Sequence, residues 1–335
     1  MNIIIPMAGM GKRMRPHTLT TAKPLIPIAG KPVVQRLVED IVATCNQNIE
    51  NIAFIVNPAF GKATEDMLLE VAQRLGAQGH ICYQEKALGT AHAILCAKEL
   101  LTGNVFVAFA DTLFKANFTI DATKDAIIWT QKVADPSAFG VVRLAEDGQI
   151  LEFVEKPETF VSDLAIIGVY YFKDGANLLK ELEYLIDNDI KMKGEYQLTD
   201  AMEHMKNKDI KFYCDQVEEW LDCGNKDATV FTNKRMLEIK KDQEVLIDPT
   251  AVIENSTIIA PCYIGPDVVI KNSVVGPHVS VEKGTHIEFS LLSNSIIQEG
   301  SQLKSVHLEN SLLGKYVQFQ EKPQAISLGD YSFLQ

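Results

Sequence analysis

The chain has 335 residues, 47% hydrophobic and 23% charged, which is enough for one large domain and a smaller one, each with its own core. A net charge of −12 disfavours binding to a polyanion such as a nucleic acid. No run of about 18 apolar residues is present, and the apolar start "NIIIPMA" is short and interrupted by Pro6, so the sequence predicts neither a membrane span nor a signal peptide. The six cysteines are scattered without a CxxC pair, which indicates free thiols in a cytoplasmic protein.

The N-terminal segment joins a short apolar strand to a loop with two glycines and several cations, "AGMGKRMRP". The first 36 positions contain no acid and six cations, which are Lys12, Arg13, Arg15, Lys23, Lys31 and Arg36. The loop is not a Walker phosphate loop, because Arg13 stands where Ser or Thr would contact magnesium, and it is not a dinucleotide fingerprint, because Met14 replaces the third glycine. Bare backbone N–H groups around Gly9 and Gly11 can still approach a phosphate, so the segment predicts a site for a small anion.

Between residue 1 and about residue 240, apolar runs alternate with helix-like stretches. The predicted strands are "NIIIPMA", "NIAFIVN", "HICYQ" and "NVFVAFAD", and the predicted helices are "VVQRLVEDIVATC", "KATEDMLLEVAQRL" and "TAHAILCAKELL". This alternation is typical of a parallel sheet with helices on both faces. Such a sheet binds ligands at the carboxyl ends of its strands.

Three acidic motifs lie where that sheet could bring them together. Asp111 ends the strand "NVFVAFAD", where a carboxylate can hold Mg²⁺ together with substrate phosphates, although alone it could equally be a helix cap or a turn residue. In "FVEKPE", Glu155 and Lys156 precede a proline that fixes the local backbone. In "EEWLDCGN", Asp222 precedes a glycine turn and could supply a second carboxylate.

The sequence changes character after about Glu244. Aliphatic residues recur every six positions, slip by one, and then continue more loosely, at Leu246, Val252, Ile258, Ile264, Ile270, then Val275, Val281, Ile287, then Ile297, Leu303, Leu308 and Leu313. This period favours a parallel β-helix with one flat face per hexapeptide over a β-sandwich. We therefore predict one domain at residues 1–243 and a β-helix of about four coils at residues 244–335.

Five short motifs occur in a fixed order ahead of this tail: "AGMGKR", "KPL", "FAD", "EKP" and "LDCG". Together with the tail they resemble the sugar-1-phosphate nucleotidylyltransferases, also called nucleoside-diphosphate-sugar pyrophosphorylases, over the whole chain. The resemblance implies an α/β fold, with a Rossmann-like mixed or parallel sheet followed by a left-handed parallel β-helix. It also implies an enzyme that makes a nucleoside-diphosphate sugar and pyrophosphate from a nucleoside triphosphate and a sugar 1-phosphate, with Mg²⁺ as cofactor.

The resemblance assigns the nucleotide to the N-terminal loop and to the segment "YQEKALGTAHA". The residues that it places against the nucleotide are Ala8, Gly9, Gly11, Lys12, Gln84, Gly89 and Thr90. Gln84 would read the base through its side-chain amide and Gly89 through its backbone. Arg13 and Lys23 would neutralise the phosphates. Family members usually carry threonine at the position of Lys12. Lys12 could therefore be a solvated surface charge and not a phosphate contact.

The resemblance assigns the metal and the sugar to the later motifs. Asp111 and Asp222 would hold Mg²⁺, and Lys156 would bind the phosphate of the sugar 1-phosphate. The residues that would meet sugar hydroxyls are Gly140, Glu155 and Glu195. Glu195 could instead begin a helix over "YQLTDAMEHM". Because both reactants are polyanions, metal and cations would act by positioning them and stabilising charge, without a protein nucleophile.

The resemblance favours dTTP or UTP with glucose 1-phosphate as substrates, and guanylyl transfer to mannose 1-phosphate is the second choice. A hexapeptide acetyltransferase would need a base such as His278, His286 or His307. A non-catalytic sugar-nucleotide sensor would be expected to lose the acidic metal ligands or Lys156, and all are present. His92, like the other histidines, is expected to be a packing or surface residue. A short β-helix with two open ends predicts subunit contacts and a homo-oligomer.

Overall fold

The computed structural model describes residues 1–116, 120–322 and 325–333. The chain divides into two compact units, one formed by Met1–Pro27 with Lys31–Thr232 and the other by Ile28–Gly30 with Asn233–Gln335. The domain boundary at residues 243–244 stays a prediction. Within the described residues, no helix is both long enough and apolar enough to cross a membrane.

Residues 2–240, most of which belong to the first unit, form strands and helices that alternate as far as residue 108. From residue 2 to residue 222 the strands are β1 (Asn2–Pro6), β2 (Pro27–Ile28), β3 (Lys31–Pro32), β4 (Asn51–Val56), β5 (Gln78–Tyr83), β6 (Val105–Ala108), β7 (Thr112–Lys115), β8 (Ala126–Lys132), β9 (Gly140–Leu144), β10 (Ile150–Glu155), β11 (Leu164–Phe172), β12 (Phe212–Gln216) and β13 (Glu219–Asp222). The α-helices are α1 (Val33–Thr44), α2 (Lys62–Arg74), α3 (Thr90–Leu95), α4 (Gly175–Asp187), α5 (Leu198–Lys206) and α6 (Lys226–Lys240). Short 3₁₀ helices lie at Lys12–Met14, His17–Leu19, Lys23–Leu25, Pro58–Phe60 and Lys98–Leu100.

Nine of these strands form one mixed sheet in the order β10-β9-β11-β6-β1-β4-β5, with β8 beside β11 and β12 beside β8. Strands β6, β1, β4 and β5 run parallel, as the alternation of strands and helices predicts. Strand β11 runs antiparallel to β6, β8 and β9. No α-helix lies between β6 and β11 in the described residues, and a parallel return needs such a crossover. The sheet is therefore mixed, which confirms the mixed or parallel sheet that the resemblance implies.

Strand β1 occupies the centre of the parallel half. Ile3, Ile4 and Ile5 are fully buried, because the strand is paired on both sides and covered on both faces. The four parallel strands end at one edge of the sheet, so the loops after β1, β5 and β6 converge there. This edge carries the N-terminal loop, Gln84 and Asp111.

Two elements at this edge end earlier than predicted. Strand β6 ends at Ala108, and the Thr112 N–H donates to the Phe109 carbonyl at 3.2 Å, so Asp111 lies in a turn before β7. Helix α3 covers only Thr90–Leu95. The Ala97 N–H donates to the Ile94 carbonyl three residues earlier, which is the 3₁₀ pattern and not the α-helical one. Because β6 ends early, Asp111 is half-buried in a turn rather than within a strand.

The second unit is a parallel β-helix of three faces. Its strands are β14 (Val252–Glu254), β15 (Thr257–Ile258), β16 (Tyr263–Ile264), β17 (Val269–Lys271), β18 (Val274–Val275), β19 (Ser280–Val281), β20 (His286–Glu288), β21 (Leu291–Ser293), β22 (Ile296–Ile297), β23 (Gln302–Lys304), β24 (His307–Glu309), β25 (Leu312–Leu313) and β26 (Gln318–Gln320). One face stacks five strands and each of the other two stacks four. The predicted β-helix is confirmed.

The strand register explains why the six-residue period slips. Ile270 pairs with Ile287 one coil later, at a spacing of 17 residues, but Ile287 pairs with Leu303 at a spacing of 16. Three hexads would need 18 residues, so a 17-residue coil is one residue short and a 16-residue coil is two residues short. The residue predicted for the aliphatic column in the first coil is also corrected. Val252 is 43% exposed, and Ile253 pairs with Ile270 and stands in its column instead.

Candidate active site

The loop after β1 is held in shape by Gly11. This residue has φ of +57°, which glycine adopts without strain, and it begins the 3₁₀ helix Lys12–Met14. A Cβ atom at this position would lie 2.9 Å from the Lys23 Cβ and 3.1 Å from the Thr18 Cγ2. The Thr18 hydroxyl donates to the Gly11 carbonyl at 2.8 Å. Gly11 therefore lets the loop pack directly against Lys23.

Lys23 forms an ion pair with Asp111. Its Nζ lies 2.6 Å from Asp111 Oδ2, and its side chain is only 13% exposed. Asp222 comes next to this pair because β13 and β7 run antiparallel with Asp222 opposite Thr112. The Cys223 N–H also donates to the Asp111 carbonyl at 2.9 Å. Pairing of β13 with β7 thus joins two carboxylates that are far apart in sequence.

The charges in this group act on one another. Burial raises the pKa of Asp222 above its usual value, and the neighbouring Asp111 carboxylate raises it further, while Lys23 and Arg13 oppose the shift. Burial also raises the pKa of the Cys223 thiol, which keeps it protonated and unreactive. Two close carboxylates of which one is poorly solvated suit a divalent cation.

A cavity of about 240 Å³ opens at this edge of the sheet. We call it the first cavity. The predicted site residues in its walls are Ala8, Gly9, Gly11, Lys23, Gln84, Gly89, Thr90, Asp111 and Glu195. Seven of these had been assigned to the nucleotide or its phosphates, Asp111 to the metal and Glu195 to the sugar. The structure brings together the predicted loop and the predicted base-reading segment.

The base-reading segment is fastened to the stretch before α5. Gly89 has φ of +113°, and a Cβ atom there would lie 2.3 Å from the Tyr196 carbonyl oxygen. The Tyr196 N–H donates to the Leu88 carbonyl at 2.8 Å, and the Leu198 N–H donates to the Thr90 hydroxyl at 2.9 Å. Gly89 is required here for close backbone approach as well as for its positive φ.

A second cavity of about 210 Å³ adjoins the first, and Thr90, Phe109 and Asp111 line both. The other predicted site residues in its walls are Arg13, Gly140, Glu155 and Asp222. Gly140 is opposite Glu155 in the pairing of β9 with β10, and a Cβ at Gly140 would lie 2.9 Å from Glu155 Oε2. The absence of a side chain at Gly140 leaves room for the Glu155 carboxylate in this wall.

Comparison with known proteins agrees with this geometry. A family model described as nucleotidyl transferase matches residues 2–238. The chain belongs to the nucleotidyl transferase family. The resemblance drawn from the five motifs is thereby confirmed.

Individual relatives match this nucleotidyl transferase over different lengths. A glucose-1-phosphate thymidylyltransferase from Streptomyces griseus is 28% identical over 99% of this chain and 98% of its own. The bifunctional protein GlmU of Methanocaldococcus jannaschii is 31% identical over 77% of this chain and 60% of its own. The crystal structure of a nucleoside-diphosphate-sugar pyrophosphorylase from Vibrio cholerae has a TM-score of 0.60 and 21% identity, covering 69% of this chain and 99% of that one. The structural likeness supports the fold.

Three predicted site residues of the transferase lie apart from the other residues assigned to the same ligand. Lys12 is exposed and lines neither cavity. Lys156 also lies outside both walls, 55% exposed, with its Nζ 3.5 Å from Glu155 Oε1 and its backbone at φ of +46°. Glu195 lines the first cavity, where its carboxylate accepts from Gln197 at 3.2 Å, and not the second. Their roles stay predictions.

The second cavity contains residues that sequence reasoning missed. Trp220 Nε1 and Thr199 Oγ1 are buried in its wall without a hydrogen-bond partner among the described residues. Tyr170 also lines it, and burial, with Glu155 and Asp111 nearby, raises the pKa of its phenol so that it stays protonated. Trp220 lies two positions before Asp222 and Thr199 four after Glu195, but nothing in that spacing marks them. Both unpaired polar atoms are themselves inaccessible to solvent, so the carboxylate of Glu155 and the phenol of Tyr170 are the polar groups of this wall best suited to a ligand hydroxyl.

Proposed function

We propose that this nucleotidyl transferase makes a nucleoside-diphosphate sugar, with dTTP or UTP and glucose 1-phosphate as its substrates. The observation that supports this most is the junction of the two cavities at Asp111. The first cavity has a glycine loop and a lysine suited to a triphosphate, and the second has carboxylate and phenol groups suited to a sugar. A reaction between two phosphates would take place where the cavities meet.

The chemistry follows from the charges at that junction. An oxygen of the sugar 1-phosphate attacks the α-phosphorus of the triphosphate, a new P–O bond forms, and the bond to the β-phosphate oxygen breaks to release pyrophosphate. Arg13 and Lys23 reduce the repulsion between the two anions, and the loop around Gly9 and Gly11 orients the triphosphate through backbone N–H groups. Lys156 would approach the sugar phosphate from the rim of the second cavity.

Asp111 and Asp222 fit a divalent cation, and we propose Mg²⁺. Burial and mutual repulsion disfavour two ionised carboxylates here, and a cation relieves both. Within the described residues, no group of three or more His, Cys, Asp or Glu side chains could hold a metal ion, so substrate oxygens would complete the coordination. When bound, the cation stabilises charge that develops on the transferred phosphate.

The test is a grid of nucleoside triphosphates against sugar 1-phosphates, read by pyrophosphate release with and without Mg²⁺. We expect the fastest release with dTTP or UTP and glucose 1-phosphate, and none without the metal. Faster release with GTP and mannose 1-phosphate would replace the substrate assignment. No metal-dependent release with any pair would refute the enzymatic function.

We also propose that the β-helix mediates assembly of a cytoplasmic homo-oligomer. Large apolar side chains are exposed on this unit, including Ile259 at 43%, Phe289 at 53% and Leu291 at 41%. Such groups gain free energy when a subunit contact covers them. Light scattering of the full chain is expected to give a multiple of 37.2 kDa, and a monomer mass would refute this part of the proposal.

A further inference from the structure

His92 contacts the residue predicted to read the base. It lies in the first turn of α3, three positions after Gly89. Gln84 is 7% exposed and lines the first cavity. The Gln84 Nε2 atom lies 3.2 Å from the Gly89 carbonyl oxygen and 3.1 Å from His92 Nδ1.

These two partners fix the orientation of the Gln84 amide. A carbonyl oxygen can only accept, so the amide atom facing Gly89 is the nitrogen. His92 Nδ1 must then accept the second amide proton, which requires a neutral ring with its proton on Nε2. Burial lowers the pKa of His92 and favours this neutral form.

The Gln84 amide consequently offers a ligand only its oxygen, as a hydrogen-bond acceptor. Both of its N–H groups are occupied, and no group within the described residues donates to Gln84 Oε1. The Gly89 N–H likewise has no acceptor among the described residues. The first cavity therefore offers one acceptor, from a side chain, beside one backbone donor.

We propose that His92 is a positioning residue for base recognition, because it locks Gln84 with its carbonyl oxygen toward the base. The inference rests on the proposed function, in which this cavity binds a nucleoside triphosphate. Uracil, thymine and guanine carry an N–H on the ring nitrogen of their pairing edge, whereas cytosine and adenine have a bare nitrogen there. A fixed acceptor favours the first group, since a bare nitrogen would face the Gln84 oxygen lone pairs.

The first test compares His92→Leu with the matched control His92→Asn. Leucine removes the acceptor, whereas the Oδ1 of asparagine can take the place of Nδ1. With His92→Leu we expect the KM for UTP to rise about tenfold, as for one lost hydrogen bond, and the preference for UTP over CTP to fall by a similar factor. The value of kcat and the KM for glucose 1-phosphate should change less than about twofold, and His92→Asn should behave like the wild type.

Two kinetic results would overturn the proposal. One is an unchanged ratio of UTP to CTP use in His92→Leu. The other is a lower kcat together with a higher KM for both substrates, to the same extent in His92→Leu and His92→Asn. That result would indicate that His92 only supports the fold.

A second measurement is independent of catalysis. In the free wild-type protein, ¹⁵N NMR of the imidazole distinguishes a protonated ring nitrogen from a bare one. We expect a bare Nδ1 and a protonated Nε2 at pH 7.5, and a proton on Nδ1 would overturn the inference. If no nucleoside triphosphate reacts in the wild type, the proposed function fails, while the NMR result still decides the position of the proton.

Discussion

The two units of this protein are organised in opposite ways. In the β-helix, each residue meets its equivalent 16 or 17 positions away, and serine side chains form a ladder in which Ser273 N bonds to Ser256 Oγ and Ser290 N bonds to Ser273 Oγ, each at 3.0 Å. In the candidate active site, residues from Gly9 to Asp222 come together through long-range strand pairing.

The difference separates stability from chemistry. The β-helix repeats one local contact and uses its polar groups to bond its own backbone. The active-site edge carries a buried carboxylate with a raised pKa, together with an indole and a hydroxyl that lack partners within the described residues. A partly buried carboxylate with a raised pKa, in the wall of a cavity, is typical of a functional site.

The largest expected effect is at the metal-binding carboxylates. Asp111→Asn and Asp222→Asn should each lower kcat/KM by about a thousandfold, because each removes charge from the site where the phosphates react. The measurement is pyrophosphate release at saturating Mg²⁺. Asp66→Asn, at an exposed position on α2, is the matched control and should retain activity. Near-normal rates in both active-site variants would refute the metal assignment.

The Asp222→Asn substitution should not destabilise the fold. The folded protein binds the Asp222 proton more tightly than the unfolded chain does, so ionisation of this carboxylate lowers stability as the pH rises through its raised pKa. At pH 7 the Tm of Asp222→Asn is therefore expected to equal or exceed that of the wild type. A lower Tm, measured by calorimetry, would show that the charged carboxylate contributes to stability.

The second effect belongs to the β-helix. Ile287 is 1% exposed in the inner column, and Ile287→Ala should lower the free energy of unfolding of this unit by about 3 kcal/mol through lost burial and a residual cavity. Denaturant unfolding measures the change. Leu291→Ala, at a position 41% exposed, should cost less than about 1 kcal/mol. Equal costs at the two positions would mean that Leu291 is buried in the assembled protein.

The third effect separates the two substrates. Lys156→Ala should raise the KM for glucose 1-phosphate about thirtyfold, the cost of about 2 kcal/mol for a hydrogen bond to a charged group, and leave the KM for the nucleotide nearly unchanged. Initial-rate kinetics in both substrates decide the point. Equal increases in both KM values would place Lys156 on the triphosphate instead.

The smallest effect compares two glycines with nearly the same backbone. Gly11 has φ of +57° in the active-site loop and Gly284 has φ of +66° in the β-helix. Alanine at either position costs about 1–2 kcal/mol in backbone strain. Only at Gly11 would the added Cβ press on Lys23, whereas nothing lies within 4 Å of it at Gly284.

Gly11→Ala should therefore raise the KM for the nucleotide about tenfold, which corresponds to about 1.4 kcal/mol, and Gly284→Ala should leave it unchanged. Initial-rate kinetics of the two variants make the comparison. A similar rise in both would indicate that loss of stability, and not the contact with Lys23, controls nucleotide binding.

The sequence predicted the β-helix well because its signal is local. Columns such as Ile264, Val281 and Ile297 follow from a short period. The change from 17 to 16 residues per coil, and the position of Ile253 rather than Val252 in the first coil, were beyond that period. The mixed sheet was harder to foresee, because the direction of β11 depends on which strand it meets and not on its own residues.

The active site was predicted only where a motif marks it. The glycine loop, Lys23, Gln84, Asp111 and Asp222 lie in recognisable strings, and the structure places them in the walls of the two cavities. Tyr170 and Thr199 lie in strings that read as ordinary strand or helix, whereas His92 and Trp220 lie inside the strings "YQEKALGTAHA" and "EEWLDCGN" without being marked by them. What each of these side chains contacts depends on the packing of distant segments, which a local string does not show.

The most direct test of the proposed chemistry follows the phosphorus atom of the sugar substrate. Glucose 1-[³²P]phosphate is incubated with UTP or dTTP, Mg²⁺ and the protein, and the products are separated. Because the sugar phosphate oxygen attacks the α-phosphorus, the label is expected to remain attached to the sugar, in the nucleoside-diphosphate sugar, while the pyrophosphate is unlabelled. Label in pyrophosphate or in free phosphate, or no labelled nucleotide sugar with either nucleotide, would contradict the proposed reaction.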